Sequence, residues 1–184
     1  MIGGSKMKNS QAKYFLVVSD NHTDRDILTK IAEVYQNRVD LMIHCGDSLL
    51  EKTDPLCERY QVVEGNCDFP GNFVNEQLLT TSVGQVFFSH GQHYYVNFGM
   101  SDLMAVAQKN QADFCFFGHT HQLKVEYQEG CLFLNPGSIS FPRGKYRQIG
   151  GTFAIVTVTV DRIVVNFYDR RFSIINELTH EFKR

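Results

Sequence analysis

The sequence predicts an α/β fold in which helices flank packed β-sheets. Three features point there. Short apolar runs of strand length recur, each ending in a polar tip. Two segments between such runs carry apolar residues at helical spacing. The C-terminal part alternates apolar and polar residues. A length of 184 residues fits one domain with room for a real core. With 43% hydrophobic and 21% charged residues, the chain reads as globular rather than disordered.

The elements follow in order. MIGGSKMKNSQAK (1–13) is polar and lacks the apolar stretch of a secretory signal, so it is read as a flexible leader ahead of a single domain over 14–184. YFLVVSD (14–20) is a buried strand with a polar tip. DRDILTKIAEVYQNR (24–38) sets Ile27, Leu28, Ile31, Val34 and Tyr35 on one helical face, with acidic residues in its first turn. DLMIHCGD (40–47), YQVVEGNCD (60–68) and VGQVFFSHG (83–91) again run from apolar stretches into polar tips. DLMAVAQKN (102–110) is a second helix, ADFCFFGHTH (112–121) another tipped strand, and CLFLNPGS (131–138) a further apolar run. GTFAIVTVTVDRIVVNFYDR (151–170) is a hairpin turning at Asp161-Arg162, with one half-solvated face.

Composition excludes several classes. Net charge is −2 and no dense Lys/Arg block occurs, so an extended nucleic-acid or membrane-binding face is not indicated. No apolar run approaches the ~20 residues of a bilayer span. The five cysteines are odd in number and form no CxxC pair. That argues against a disulfide framework or zinc knuckle and for a reducing compartment, the cytoplasm.

The polar tips collect metal-capable residues: Asp20 and His22, Asp47, Asn66, His90, then His119 and His121. In α/β sheets, sites form beyond the carboxyl ends of strands, so these distant residues can converge. Carboxylate and amide oxygens with neutral imidazoles suit manganese, iron, zinc or nickel. Glycines precede Asp47, Asn66 and His119, permitting close backbone approach.

The ordered set SDNH (19–22), GD (46–47), GNCD (65–68), HG (90–91) and GHTH (118–121) resembles the calcineurin-like metallophosphoesterases, most of all their small bacterial and archaeal phosphodiesterases. The resemblance spans about residues 14–170. It implies a four-layer αββα sandwich of two mixed β-sheets flanked by helices. It also implies two divalent metal ions per chain, manganese first, with iron, zinc or nickel as alternatives. One would take Asp20, His22, Asp47 and His121; the other Asp47, Asn66, His90 and His119, with Asp47 bridging. The implied activity is hydrolysis of small phosphate diesters by in-line attack of a metal-bridging hydroxide, with Asn66 and Cys67 as catalytic residues. Relatives also form dimers or tetramers, so a homodimer or homotetramer is a further expectation. The same fold serves as a non-catalytic protein-interaction scaffold in the eukaryotic retromer subunit, and a phosphomonoesterase is another reading. All seven ligand positions hold a competent residue, which favours the enzyme.

Two positions depart from the family pattern. Much of the superfamily has His where Cys67 stands, and a neutral thiol is a weak donor and a poor general acid. The expectation is a substrate with a good leaving group, or protonation of the leaving group by another route. In HGQHYY (90–95), Gln92 occupies a place where relatives often carry His, with His93 following. His44 is expected to pack or brace rather than ligate, and His180 to lie on the surface. In the loop NPGSISFPRG (135–144), Ser138, Ser140 and Arg143 are candidates to touch a phosphate. Phe69, Phe73, Tyr94 and Tyr95 are candidates to flank a base or aryl group.

Overall fold

The computed structural model describes residues 12–184. The expected leader falls outside the described residues up to position 11, and the first strand already begins at Lys13. In chain order the elements are β1 (Lys13–Val18), α1 (Arg25–Tyr35), β2 (Leu41–His44), β3 (Gln61–Val62), β4 (Glu76–Thr81) and β5 (Gly84–Ser89). Then come α2 (Ser101–Lys109), β6 (Phe114–Phe116), β7 (Leu123–Gln128), β8 (Cys131–Pro136), β9 (Thr152–Val158), β10 (Arg162–Asp169) and β11 (His180–Lys183).

The strands form two sheets, one ordered β11-β10-β9-β1-β2-β3 and the other β4-β5-β6-β8-β7. Each is mixed. In the first, β1, β2 and β3 run parallel while β9, β10 and β11 pair antiparallel. In the second, β5, β6 and β8 run parallel between the antiparallel edges β4 and β7.

Strand alternation explains the layering. Phe15, Val17 and Ile43 face Phe88, Phe116 and Leu134 across the inter-sheet core. Their neighbours Leu16, Val18 and Met42 point the other way, onto Leu28, Ile31 and Tyr35 of α1. On the second sheet, Phe87, Cys115 and Phe133 point outward onto Leu103 and Ala107 of α2. The result is four layers: helix, sheet, sheet, helix. Central strands buried on both faces read as continuous apolar runs, which is why those runs stood out in the sequence.

Three edge strands escaped the sequence reading: β4, β7 and β11. His180 is a correction. It lies within β11, half-buried, its ring stacked on Phe182 and edge-on to Phe167. No disulfide forms among the five cysteines. No helix among the described residues is long and apolar enough to cross a membrane.

Candidate metal centre

The polar tips follow the C-terminal ends of parallel strands: Asp20 and His22 after β1, Asp47 after β2, Asn66 after β3, His90 after β5, His119 and His121 after β6. One ligand-capable atom each from Asp20, His22, Asp47 and His121 lies within 4.8 Å of the others. Beside this group, His90 Nε2 stands 3.4 Å from Asp47 Oδ2 and 3.2 Å from Asn66 Oδ1. His119 is further out. Its ring centroid is 5.1 Å from that of His90, and its Nε2 sits 2.8 Å from the Asn97 amide nitrogen.

The local backbone is bent to achieve this. Asp20, His22, Asp47, His119 and His121 all adopt left-handed φ, between 50° and 67°. Such conformations cost on the order of 1 kcal/mol each and persist where surroundings over-determine them, typically at functional sites. The surroundings here are specific. Buried Asp68 accepts from the amides of Asp47, Leu49 and Gly65 at 2.7–2.8 Å and from Ser48 Oγ at 3.1 Å. Asp20 Oδ2 accepts from the His119 amide at 3.2 Å, and the Cys67 amide donates to Asp47 Oδ1 at 2.7 Å. Gly65 leaves no room for a side chain, since a Cβ there would overlap the Asp47 carboxylate and amide.

The tautomers of two imidazoles are fixed from behind. His90 Nδ1 is 2.7 Å from the Cys45 carbonyl, and His121 Nδ1 is 2.7 Å from the Phe141 carbonyl, so both Nδ1 atoms donate. Each ring, in its neutral form, then turns an Nε2 lone pair inward. Those lone pairs meet only acceptors: Asp20 Oδ1 lies 3.2 Å from His121 Nε2 and 3.9 Å from His90 Nε2. Asp20 Oδ1 is buried without a hydrogen-bond partner. His22 Nε2 and His121 Nε2 approach to 3.4 Å. Acceptors converging in this way call for positive charge at their centre.

Ionisation reflects the same field. Burial alone would lower His90, but the Asp47 and Asp20 carboxylates outweigh it and hold it above its ordinary value. His121 is raised likewise, Asp20 overcoming burial while the Arg143 charge opposes. Burial works against ionised Asp47, yet His90 and the Cys67 amide hold that carboxyl well below the usual range. Burial and the adjacent His90 lower His119. Burial and the Asp47 carboxylate push the Cys67 thiol up to about 11, so it stays protonated at neutral pH. A donor set of carboxylates and inward-facing imidazoles fits a divalent transition-metal ion.

The chain matches the model of the calcineurin-like phosphoesterase superfamily domain over residues 14–161. The chain belongs to that superfamily. It is 39% identical to the probable metallophosphoesterase YsnB of Bacillus subtilis over 89% of this chain and 95% of that one. Phosphodiesterase YfcE of Escherichia coli K12 is 35% identical over 51% of this chain and 52% of its own length. A conserved protein of Streptococcus pneumoniae, described as a predicted phosphoesterase, superposes with a TM-score of 0.91 at 33% identity, covering 95% of this chain and 99% of that one. This calcineurin-like chain is thus a metal-dependent phosphoesterase.

The phosphoesterase centre opens into a cleft of about 740 Å³. Asn66, Cys67, Ser140, Phe141 and Arg143 line it together with the centre's own residues. Ser138 does not reach it: that side chain is buried, its Oγ donating to the Asp20 carbonyl at 2.7 Å. The expected aromatic flankers are elsewhere. Phe73 packs in the cluster under α1, and the Tyr94 hydroxyl donates to Glu76. Phe69 and Tyr95 are exposed and do not line the cleft. Phe141, which takes their expected place, went unread because a single Phe in a loop carries no periodic signal. Asp68 and Asn97 were also missed as bracing residues; the position of Asp68 inside GNCD was the available hint. Gln92 and His93 lie on a short 3-10 turn beside the centre, and His93 is exposed.

Proposed function

We propose that this phosphoesterase is a dinuclear-metal phosphodiesterase acting on small phosphate diesters. The observation that carries the reading is the convergence of Asp20, His22, Asp47 and His121 around a buried, unpartnered Asp20 oxygen. In this reading Asp20, His22, Asp47 and His121 hold one divalent ion, and Asp47, Asn66, His90 and His119 a second. Manganese is the first choice for both. Bound ions would supply Lewis acidity to the phosphoryl oxygens and an activated water nucleophile.

The chain's own groups do the rest. Asp68 clamps the Asp47 turn against the Gly65 turn, so the bridging carboxylate and Asn66 keep a fixed separation. The carbonyls of Cys45 and Phe141 keep His90 and His121 in the tautomer whose lone pair faces inward. Asn66 and Cys67 stand at the cleft wall, where the amide and the protonated thiol can donate to a phosphate oxygen. A thiol that holds its proton this tightly is a weak general acid, which favours diesters with good leaving groups over phosphomonoesters.

The test is elemental analysis of protein purified without chelator, beside an Asp47→Asn variant. Two transition-metal ions per chain are expected, largely lost in the variant. Hydrolysis of bis(p-nitrophenyl) phosphate should fall more than about a hundredfold with them. A single ion that survives the substitution would overturn the dinuclear reading. A preference for p-nitrophenyl phosphate over the diester would overturn the diesterase.

A further inference from the structure

The cleft has one wall that the metal centre does not account for. The loop from Ser138 to Arg143 is tied to the centre through its backbone. The Phe141 carbonyl holds His121, the Arg143 amide donates to the His121 carbonyl at 2.9 Å, and Ser138 Oγ accepts from the amides of Ser140 and Phe141. A second clamp grips the loop from outside. Arg170 donates to the Ile139 carbonyl at 2.8 Å and to Asp24 at 2.6 Å.

Two side chains of this fixed loop are left with nothing to do. Phe141 is 57% exposed, with its ring centroid 5.2 Å from that of His22. Single exposed apolar residues are ordinary on protein surfaces. This one stands at a set distance from the centre because its carbonyl holds His121 and its amide donates to buried Ser138. Arg143 is exposed at the cleft, and its guanidinium has no hydrogen bond or ion pair among the described residues. Arg38, Arg59 and Arg147 likewise have no side-chain partner among the described residues, but of these arginines Arg143 alone lines the cleft. The wall therefore offers one aromatic face and one unpaired cation.

We propose that this wall selects phosphate esters bearing a planar aromatic substituent. Phe141 stacks on that group while the Arg143 guanidinium takes an anionic oxygen of the phosphate. The inference rests on the phosphoesterase centre proposed above, and it adds the substrate class. Phe141 is the one phenyl ring among the residues lining the cleft, where Asn66 and Cys67 supply short polar side chains. The aromatic group is thus stacked on one face only, and the site favours aryl or nucleobase-bearing esters without demanding one ring.

Two non-hydrolysable probes test it on the manganese-loaded protein: phenylphosphonate and ethylphosphonate, titrated calorimetrically. The wild-type protein is expected to bind the phenyl compound about tenfold more tightly, the worth of one aromatic stack. Phe141→Ala should abolish that preference and Phe141→Tyr should keep it. Arg143→Ala should weaken both probes by a similar factor. A wild-type protein without the preference, or a preference that survives in Phe141→Ala, overturns the proposal. Turnover of p-nitrophenyl phenyl phosphate is followed separately. Aryl preference without turnover sinks the diesterase and leaves the selecting wall, whereas turnover without preference does the reverse.

Discussion

His44 shows what a single residue does behind the centre. It is fully buried, edge-on to Tyr60, and its Nε2 donates to Asn21 Oδ1 at 2.8 Å while Nδ1 has no partner. Asn21 in turn donates to the carbonyls of His22, Asp24 and Ser48, so His44 fixes the turn that carries Asp20 and His22. Burial lowers the His44 imidazole to about 4, against the pull of Asp68 and Asp20. The unfolded chain therefore takes up a proton near pH 6.5 that the folded chain refuses until about pH 4. The stability this residue contributes is complete above pH 6.5 and is lost as pH falls through that window, on the order of 2 kcal/mol between pH 7 and pH 5. His44→Gln keeps a donor for Asn21 and removes the titration. Its melting temperature should fall less than that of the wild type between pH 7 and pH 5. Comparing the two proteins cancels the titration of the site histidines. Parallel melting curves at both pH values would show that His44 is not the sensitive group.

At the scale of elements, α1 depends on Asp24. Its carboxylate caps the helix by accepting from the Ile27 amide at 3.3 Å and also receives Arg170 at 2.6 Å. The ion pair is partly solvated, so most of its worth lies in the cap. Asp24→Ala should lower the unfolding free energy by about 1 kcal/mol, and Asp24→Asn, an equally good cap, by less than half of that. Urea unfolding decides it, and equal losses would assign the stability to Arg170 instead. Both helices and the central strands were legible because one-sided helices and doubly buried strands leave strong patterns. The edges were not. In β7 the alternation is regular, with Leu123, Val125 and Tyr127 turned to the core and Lys124, Glu126 and Gln128 away from it. The run is short, and it follows directly on the eye-catching GHTH. In β4 and β11 only Leu79 and Phe182 reach that core, too few for a period to register. Pairing was hidden altogether: Phe15 lies beside Leu41 on one side and Val156 on the other, and nothing local in the sequence announces a partner so distant. The candidate site residues stood out more plainly than the sheets that hold them. Asp, Asn and His at successive tips mark themselves, whereas Phe141, Asn97 and Asp68 acquire their roles only from three-dimensional neighbours.

The whole molecule places the candidate ligands across the seam between the sheets. Asp20, His22, Asp47 and Asn66 come from the sheet backed by α1, and His90, His119 and His121 from the sheet backed by α2. The inter-sheet core of Phe15, Ile43, Phe88 and Phe116 joins the layers below, while at the tips the Asp20 carboxylate of one sheet faces the His90 and His121 imidazoles of the other at 3.9 and 3.2 Å. A cation held between these groups would tie the two layers together at their tips. Binding to the folded state alone stabilises by RT ln(1 + [M]/Kd), about 2.7 kcal/mol at a hundredfold excess over Kd. For a domain of this size that corresponds to a rise in melting temperature of roughly 5–10 °C. Chelation should therefore lower the melting temperature by about that much, and added manganese should restore it, with no such response in Asp47→Asn. Hydrogen exchange locates the effect. On chelation, protection should fall at the tips after β1 and β2 and equally at those after β5 and β6. Loss confined to one sheet would mean that the ion sits within that sheet's own loops, and the two layers would then be held by their apolar core alone.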